Sequence, residues 1–138
     1  MANTDAPRGF TPVGNNGQGP YTGSVNTYYK SATAGIIGVG DPVIRATNST
    51  DPEGGPEIVR ATTGAAITGV VIGILPKRSD LTQNHLASAD TGYVLVADDP
   101  DATFEVQEVT GGTALAVTNI GEHIDSITAV DADTTTRS

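Results

Sequence analysis

The chain has 138 residues, including 17 glycines and 8 prolines, and only 4% of its residues are aromatic. Its net charge of −9, with only seven Lys and Arg residues, excludes the clustered cations needed to bind nucleic acid phosphates or anionic membranes. The absence of cysteine excludes disulfides, thiolate metal sites and a cysteine nucleophile. The length suits one domain, and scarce aromatics predict a core of small and β-branched side chains with many turns.

Residues 1–24 are predicted to form an extended N-terminal arm, because the segment contains few apolar residues. Three prolines are expected to interrupt any strand ladder: Pro7, Pro12 and Pro20. The arm is interpreted either as a loosely held tail or as a segment that becomes ordered on a neighbouring subunit. Three side chains are its candidate anchors: Phe10, Val13 and Tyr21.

Residues 25–130 are predicted to form a β-rich domain, because runs of β-branched residues alternate with turn residues along this stretch. The predicted strands cover residues 25–30, 43–47, 57–62, 67–75 and 93–97. Gly69 and Gly73 lie inside the most apolar run, where interior glycines indicate bends, bulges or close backbone approach.

The stretch from Gly92 to Val109 is predicted to be a central hairpin. The apolar run from Tyr93 to Ala97 predicts a strand covered on both faces, and the turn residues Asp98 to Asp101 follow it. In the second predicted strand, Phe104 and Val106 alternate with polar residues, which predicts one buried face. We therefore expect this hairpin to lie at the centre of the core.

Residues 77–89 are predicted to be a polar excursion held down by Leu81 and Leu86. It begins with the only adjacent cations, Lys77 and Arg78, for which we consider two interpretations, a solvated loop or a salt-bridge contact to a partner.

After Gly111 and Gly112, apolar residues from Val117 onwards predict one turn of helix at most, followed by a strand. Residues 131–138 are predicted to be a polar tail, either free or continuing into a longer chain.

No pattern in the sequence predicts catalysis, a cofactor or a metal. The acidic group Asp98, Asp99 and Asp101 could offer oxygens to calcium, but it lacks the spacing of an EF-hand and is better explained as a soluble turn. His85 and His123 are the only histidines, and neither has a partner at catalytic or ligand spacing. We therefore do not expect an enzyme.

The order of the motifs resembles the head decoration, or cement, proteins of tailed bacteriophages over about residues 1–130. The segments that carry the resemblance are residues 1–13, 28–30, 39–43, 67–73, 93–100, 104–107 and 119–125. Similar sequences often continue with further strands beyond a polar stretch such as residues 134–138. The resemblance implies a mainly β fold, either a small β-barrel or a β-tulip or sandwich-like domain, with an extended N-terminal arm and little helix.

The same resemblance implies a virion protein made in the bacterial host cytoplasm. It would bind the outer surface of the capsid and cement neighbouring major capsid protein subunits, often as a homotrimer. The candidate capsid contacts are Phe10, Val13, Tyr21, Lys77 and Arg78. Neither nucleic acid nor a membrane is an expected partner. The sequence also leaves open an alternative function, a surface- or carbohydrate-binding module of a phage tail or fibre or of a bacterial surface protein. That function needs an aromatic platform, for which the chain offers only four tyrosines: Tyr21, Tyr28, Tyr29 and Tyr93.

Overall fold

The fold consists almost entirely of short strands, which confirms the prediction of a mainly β protein with little helix. The computed structural model describes residues 9–17, 19–107 and 115–123. In chain order its strands are β1 (Thr11–Asn15), β2 (Gly19–Pro20), β3 (Asn26–Lys30), β4 (Ile37–Gly38), β5 (Pro42–Arg45), β6 (Glu57–Arg60), β7 (Gly69–Leu75), β8 (His85–Leu86), β9 (Gly92–Ala97) and β10 (Ala102–Glu105). A 3₁₀ turn, η1 (Val117–Asn119), follows them. Within these ranges, no helix has the length and hydropathy needed to cross a membrane.

Five of the strands close into a barrel in the order β3-β6-β5-β7-β9. Within the barrel β3 and β6 run parallel, and the other neighbouring pairs are antiparallel. Two smaller sheets lie outside it, one in the order β10-β1-β2 and the other formed by β4 and β8. Closure gives every barrel strand a partner on both edges, so no barrel strand presents an unpaired edge.

The barrel interior is filled by aliphatic side chains, as the scarcity of aromatics predicted. Its fully buried members include Val43, Ile58, Val71, Val94 and Val96. Side chains alternate between the two faces of a strand. Val94 and Val96 are two residues apart on β9, so both point into the core.

The interior glycines of β7 mark the irregularity and close approach that the sequence predicts. The pairing register of β7 with β9 shifts between Val71 and Gly73. At Gly69, an added Cβ would lie 2.5 Å from the carbonyl oxygen of Ala97, so only glycine allows the backbones to approach this closely.

The prediction that residues 92–109 form a hairpin is wrong, because its two strands do not pair with each other. The strands β9 and β10 both form, but β9 pairs with β3 and β7, whereas β10 pairs with β1. Both edges of β9 are occupied within the closed barrel, so the turn that follows carries the chain out of the barrel and into the small sheet. Consequently β9 lies in the core, but Val106 lies beyond the end of β10 and is exposed.

The expectation that prolines would keep the N-terminal segment out of a ladder is also wrong for the described part. Strand β1 pairs with both β10 and β2, with Pro12 opposite Phe104 and Pro20 opposite Gly14. Pro12 is tolerated because it adjoins a register shift, and Pro20 because β2 lies at the edge of its sheet. Part of the predicted arm is therefore a structural element of this chain.

The polar excursion is held by only one of its two predicted leucines. Leu86 lies in β8, pairs with β4 and is fully buried, whereas the Leu81 side chain is 75% exposed. At the other end of the chain, η1 confirms the predicted single turn of helix. The strand predicted after it and the polar tail of residues 131–138 lie outside the described residues.

Candidate functional site

The five predicted contact residues are separated into two groups at opposite ends of the barrel. Strands β7 and β9 are antiparallel, so Val70 lies beside Ala97 and Leu75 lies beside Tyr93. At about 3.3 Å per residue, the two ends of β7 are about 20 Å apart. We call the end at residues 97–101 the acidic-turn end and the end at Leu75 and Tyr93 the loop end.

Phe10, Val13 and Tyr21 lie at the acidic-turn end. Phe10 lies close to Ala97, Val13 belongs to β1 beside β10, and Tyr21 is close enough to Asp98 and Asp99 for both to affect its pKa. Burial raises the pKa of Tyr21, and the negative charges of these two carboxylates raise it further.

Lys77 and Arg78 follow β7 after Pro76, at the loop end. The structure therefore does not assemble the five residues into one site.

The acidic turn is held by hydrogen bonds to its own chain. Asp98 accepts hydrogen bonds from Asn26 Nδ2 at 2.9 and 3.0 Å and from the Tyr28 hydroxyl at 2.7 Å. Asp99 accepts one from Asn15 Nδ2 at 3.2 Å and one from the backbone N–H of Asp101 at 3.0 Å. Burial and the bond to Asp98 raise the pKa of Tyr28. These carboxylates connect β1, β3 and the turn, and across the described part of the chain no three His, Asp or Glu residues are grouped to hold a metal.

An apolar groove of about 200 Å³ lies between the small sheet and the acidic-turn end of the barrel, and we call it the sheet–barrel groove. Its apolar lining includes Phe10, Ile67, Ala97, Pro100 and Phe104. The two phenylalanine rings meet edge to face, with centroids 6.3 Å apart and an interplanar angle of 82°. The chain is tied down here by a hydrogen bond from the Phe10 N–H to the Gly40 carbonyl at 2.9 Å.

A second cavity, of about 380 Å³, opens at the loop end between Tyr29, Pro52, Leu75, Lys77 and Tyr93. The two tyrosine rings pack with centroids 5.5 Å apart and an interplanar angle of 58°.

The Tyr93 hydroxyl donates a 2.7 Å hydrogen bond to Asp51 Oδ1. This bond, with burial, raises the pKa of Tyr93 to about 12. Burial opposes ionisation of Asp51, but the bonds from Tyr93 and from backbone N–H groups outweigh it and lower its pKa. The pair connects the β5–β6 loop to the barrel.

The sequence did not predict the buried lysine at the loop end. Lys30 is 0% exposed, and its ammonium group donates to the backbone carbonyls of Ser31, Ala87, Ser88 and Asp90, at 3.2, 2.8, 3.4 and 2.8 Å. Burial lowers its pKa, and the nearby negative charge of Asp90 opposes that shift. In the sequence Lys30 stands at the end of a predicted strand, where a charged residue normally marks the strand's exit to solvent, so nothing local indicated its burial.

Glu57 is a second buried charged residue that the sequence did not single out. Hydrogen bonds from the Ser31 hydroxyl and from the backbone and side chain of Thr50 hold its carboxylate and lower its pKa. The β5–β6 loop is therefore held at two points, by Glu57 through Thr50 and by Tyr93 through Asp51.

Of the two predicted cations, Lys77 has a salt bridge to Asp90 Oδ1 at 3.7 Å, and both side chains are partly exposed. Arg78 is exposed. Exposed pairs of this kind contribute little to stability. The two residues therefore fit the interpretation of a largely solvated loop, and Arg78 remains accessible to a partner.

The four tyrosines do not form one aromatic surface. Tyr28 and Tyr29 are buried, Tyr21 lies at the acidic-turn end, and Tyr93 lies at the loop end with its hydroxyl bonded to Asp51. A sugar-binding platform needs an accessible ring face, and Tyr29, the tyrosine that packs against Tyr93 at the loop-end cavity, is itself buried.

Comparisons with known proteins do not identify the chain. No protein-family model, curated protein or solved structure matches it.

Proposed function

We propose that this chain is a head decoration protein of a tailed bacteriophage. It would bind the outer surface of the capsid in the virion and cement neighbouring major capsid protein subunits, with homotrimers as the assembled form. The observation that carries the proposal is that exposed apolar side chains occur at both ends of the barrel, whose longest strand, β7, spans about 20 Å. A protein that bridges two neighbours needs two separate adhesive surfaces, and a rigid barrel would hold them at a fixed spacing.

The first surface lies at the acidic-turn end. Val13 is 51% exposed and Val106 is 53% exposed, and both adjoin the small sheet. The register shift in β1 lies at Val13, and such bulges re-aim a side chain at sheet edges and rims.

The second surface lies at the loop end. It consists of Leu75 at the end of β7 and Leu81 in the following loop, with Arg78 between them in sequence. Leu75 also borders the cavity beside Tyr93, so a partner side chain that covers it would have room to enter.

The free energies of burial and association favour simultaneous use of both surfaces. Fully burying one wholly exposed Val or Leu side chain contributes about 1.5–3 kcal/mol, so two side chains that are only partly exposed contribute less than about 3–6 kcal/mol at one end. Association costs an estimated 4–15 kcal/mol in lost translational and rotational freedom, which a single end does not clearly exceed. A second contact on the same rigid body adds its energy without repeating most of that cost. Stable binding therefore requires a lattice that engages both ends.

The test is co-sedimentation of the purified protein with capsids stripped of their decoration protein, before and after shell expansion. Three variants are compared with the unaltered chain: V13S/V106S at the first surface, L75S/L81S at the second, and T47A as a control on the exposed β5–β6 loop. We expect saturable binding at a fixed ratio to capsid subunits, at least about tenfold weaker for either double variant and unchanged for the control. Absence of binding to both capsid forms would refute the proposal and favour a tail, fibre or surface-binding role.

A further inference from the structure

We infer that Asn16 and Gly17 form a self-modification site, at which the folded chain loses ammonia and converts Asn16 into an aspartyl or isoaspartyl residue without an enzyme. The site lies at the tip of the turn that joins β1 to β2. The inference does not depend on capsid binding, because the reaction needs only this chain and water.

The sequence at this turn favours the reaction. Of the seven asparagines in the chain, only Asn16 precedes a glycine. In this reaction the backbone nitrogen of the following residue attacks the side-chain carbonyl carbon of the asparagine, so a side chain on that following residue crowds the attack. Glycine has no Cβ and therefore leaves the approach open.

The fold leaves both reacting groups accessible at the tip. Asn16 and Gly17 are exposed, and Gly17 has a φ of +73°. A Cβ built at Gly17 would meet no atom within 4 Å, so the tip does not pack against the rest of the chain. Between the described residues, no hydrogen bond holds the Asn16 side chain or the Gly17 N–H. The side-chain carbonyl carbon and the backbone nitrogen are therefore free to approach each other by rotation at the tip.

The neighbouring Asn15 shows how this fold restrains an asparagine. It is half-buried, its Nδ2 donates a 3.2 Å hydrogen bond to Asp99 Oδ2, and it pairs with Gly19 in the ladder between β1 and β2. The nitrogen that would attack Asn15 belongs to Asn16, whose N–H donates a 2.7 Å bond to the Asp101 carbonyl. Asn15 is therefore protected by the same turn that exposes its neighbour.

The reaction balances with water as its only co-reactant. The Gly17 nitrogen loses its proton to a base in the solvent and forms a bond to Asn16 Cγ, while the bond from Cγ to Nδ2 breaks and ammonia leaves with a proton from the solvent. The product is a succinimide ring. Water then opens the ring at one of its two carbonyls. Cleavage of the bond to Cγ gives aspartate, and cleavage of the bond to the backbone carbonyl carbon gives isoaspartate.

Either product weakens the attachment of this turn to the fold. Both carry a new carboxylate close to Asp99 and Asp101, and like charges repel each other. Isoaspartate also adds a carbon to the backbone between Asn15 and Gly17, beside the short ladder of β1 and β2. The barrel strands belong to a separate sheet. The modification should therefore loosen β2 and leave the barrel intact.

Mass spectrometry of the aged full-length protein tests the inference. The protein is incubated at mildly alkaline pH in heavy-oxygen water, so that each conversion takes up a heavy oxygen, and is then digested. Fragmentation by electron transfer locates the converted residues and distinguishes aspartate from isoaspartate. We expect Asn16 to convert at least about tenfold faster than Asn15, and equal rates at the two positions would overturn the inference.

The same incubation in urea separates the effect of the fold from that of the sequence. Because the tip is free, Asn16 in the folded chain should convert within about tenfold of its rate in the unfolded chain, whereas Asn15 should be slowed by more than this factor. Protection of Asn16 as strong as that of Asn15 would show that the turn holds both residues, and would overturn the inference.

Two variants control for the chemistry. N16Q keeps an amide at the tip and leaves Gly17 in place, but its longer side chain disfavours ring closure, so no conversion is expected at this position. G17A restores the Cβ that crowds the attack, and should slow conversion of Asn16 by at least about tenfold. Circular dichroism checks that both variants fold. Conversion in G17A as fast as in the unaltered chain would contradict the proposed site.

Amide hydrogen exchange measures the structural consequence. The converted protein carries an extra negative charge, so anion exchange separates it from the unconverted chain. Exchange at Asn15 and Gly19 should become faster after conversion, while exchange in β7 and the melting temperature of the barrel should stay the same. Unchanged exchange at Asn15 and Gly19 would refute the expected loosening of β2.

Discussion

The buried ammonium group of Lys30 provides the sharpest test of how this fold is held together. Replacement of Lys30 by methionine keeps most of the length and volume of the side chain but removes every hydrogen bond to the surrounding carbonyls. Two of those bonds, to the Ala87 and Asp90 carbonyls, are 2.8 Å long and join β3 to the segment that follows β8. We expect K30M to destabilise the protein and to loosen residues 87–90 in particular.

The magnitude follows from two opposing contributions. A hydrogen bond to a charged group contributes about 1.5–3 kcal/mol, so loss of the two short ones costs about 3–6 kcal/mol. Methionine avoids the cost of burying a charge, which offsets part of this loss. We therefore expect a net loss of about 2–4 kcal/mol, which for a chain of this size lowers the melting temperature by about 6–20 °C.

Two measurements check this expectation. Thermal unfolding followed by circular dichroism gives the change in stability, and amide hydrogen exchange locates it, with faster exchange expected in residues 85–91 than in β7. The matched control is K77M, which removes the 3.7 Å salt bridge to Asp90 at the surface and should cost at most about 1 kcal/mol. If K30M melts within the error of K77M and its exchange pattern is unchanged, the carbonyl contacts do not stabilise the fold and the reasoning fails.

Three further predictions concern other parts of the barrel. The pKa of Tyr93 is raised from 10.0 to about 12, so its hydrogen bond to Asp51 stabilises the fold fully below pH 10 and is lost as pH rises through about 12. The Y93F variant should remove this alkaline dependence of stability from urea-unfolding curves, and an unaltered dependence would refute the assignment. The pKa of Glu57 lies below its ordinary value of 4.5, so the carboxylate stabilises the fold above pH 4.5 and this contribution is lost as pH falls through the lowered pKa. In the same assay the stability of E57Q should fall less steeply with acid than that of the unaltered chain, and identical slopes would argue against the prediction. An alanine Cβ at Gly69 would lie 2.5 Å from the Ala97 carbonyl oxygen, whereas one at Gly73 would approach only the Leu95 side chain, most closely its Cδ1 at 3.3 Å. In denaturant unfolding G69A should cost about 1–3 kcal/mol or more and G73A less than about 1 kcal/mol, and equal costs would contradict this prediction.

Most of the strands could be predicted from sequence because their signals are local. Runs such as Gly69–Leu75 and Gly92–Ala97 are rich in β-branched residues and are ended by proline, aspartate or glycine. The shifted register inside β7 was likewise indicated by its two glycines. Such features depend on a few neighbouring residues, which a single sequence displays directly.

The candidate contact surfaces could be predicted only in part. The sequence singled out five apolar or charged residues in polar surroundings, Phe10, Val13, Tyr21, Lys77 and Arg78. Nothing in their spacing shows that they lie at opposite ends of one barrel. The groove itself could not be predicted, because its walls come from strands far apart in the chain. Val117 was interpreted as one position of a short amphipathic turn, but its exposure depends on which face the core leaves uncovered.

From its sequence alone, this chain is determined to be a β-rich, acidic, cysteine-free protein with a small-residue core, since composition and two-residue periodicity act locally. Tertiary structure decided the pairing. Strand β9 is saturated by β3 and β7, so β10 must turn away and pair with β1, which brings the N-terminal segment into the fold despite its prolines. Tertiary structure also decided the role of Lys30, whose charge is tolerated only because backbone carbonyls from a distant loop converge on it. Both outcomes depend on partners more than 50 positions away in the chain, which local propensities do not encode.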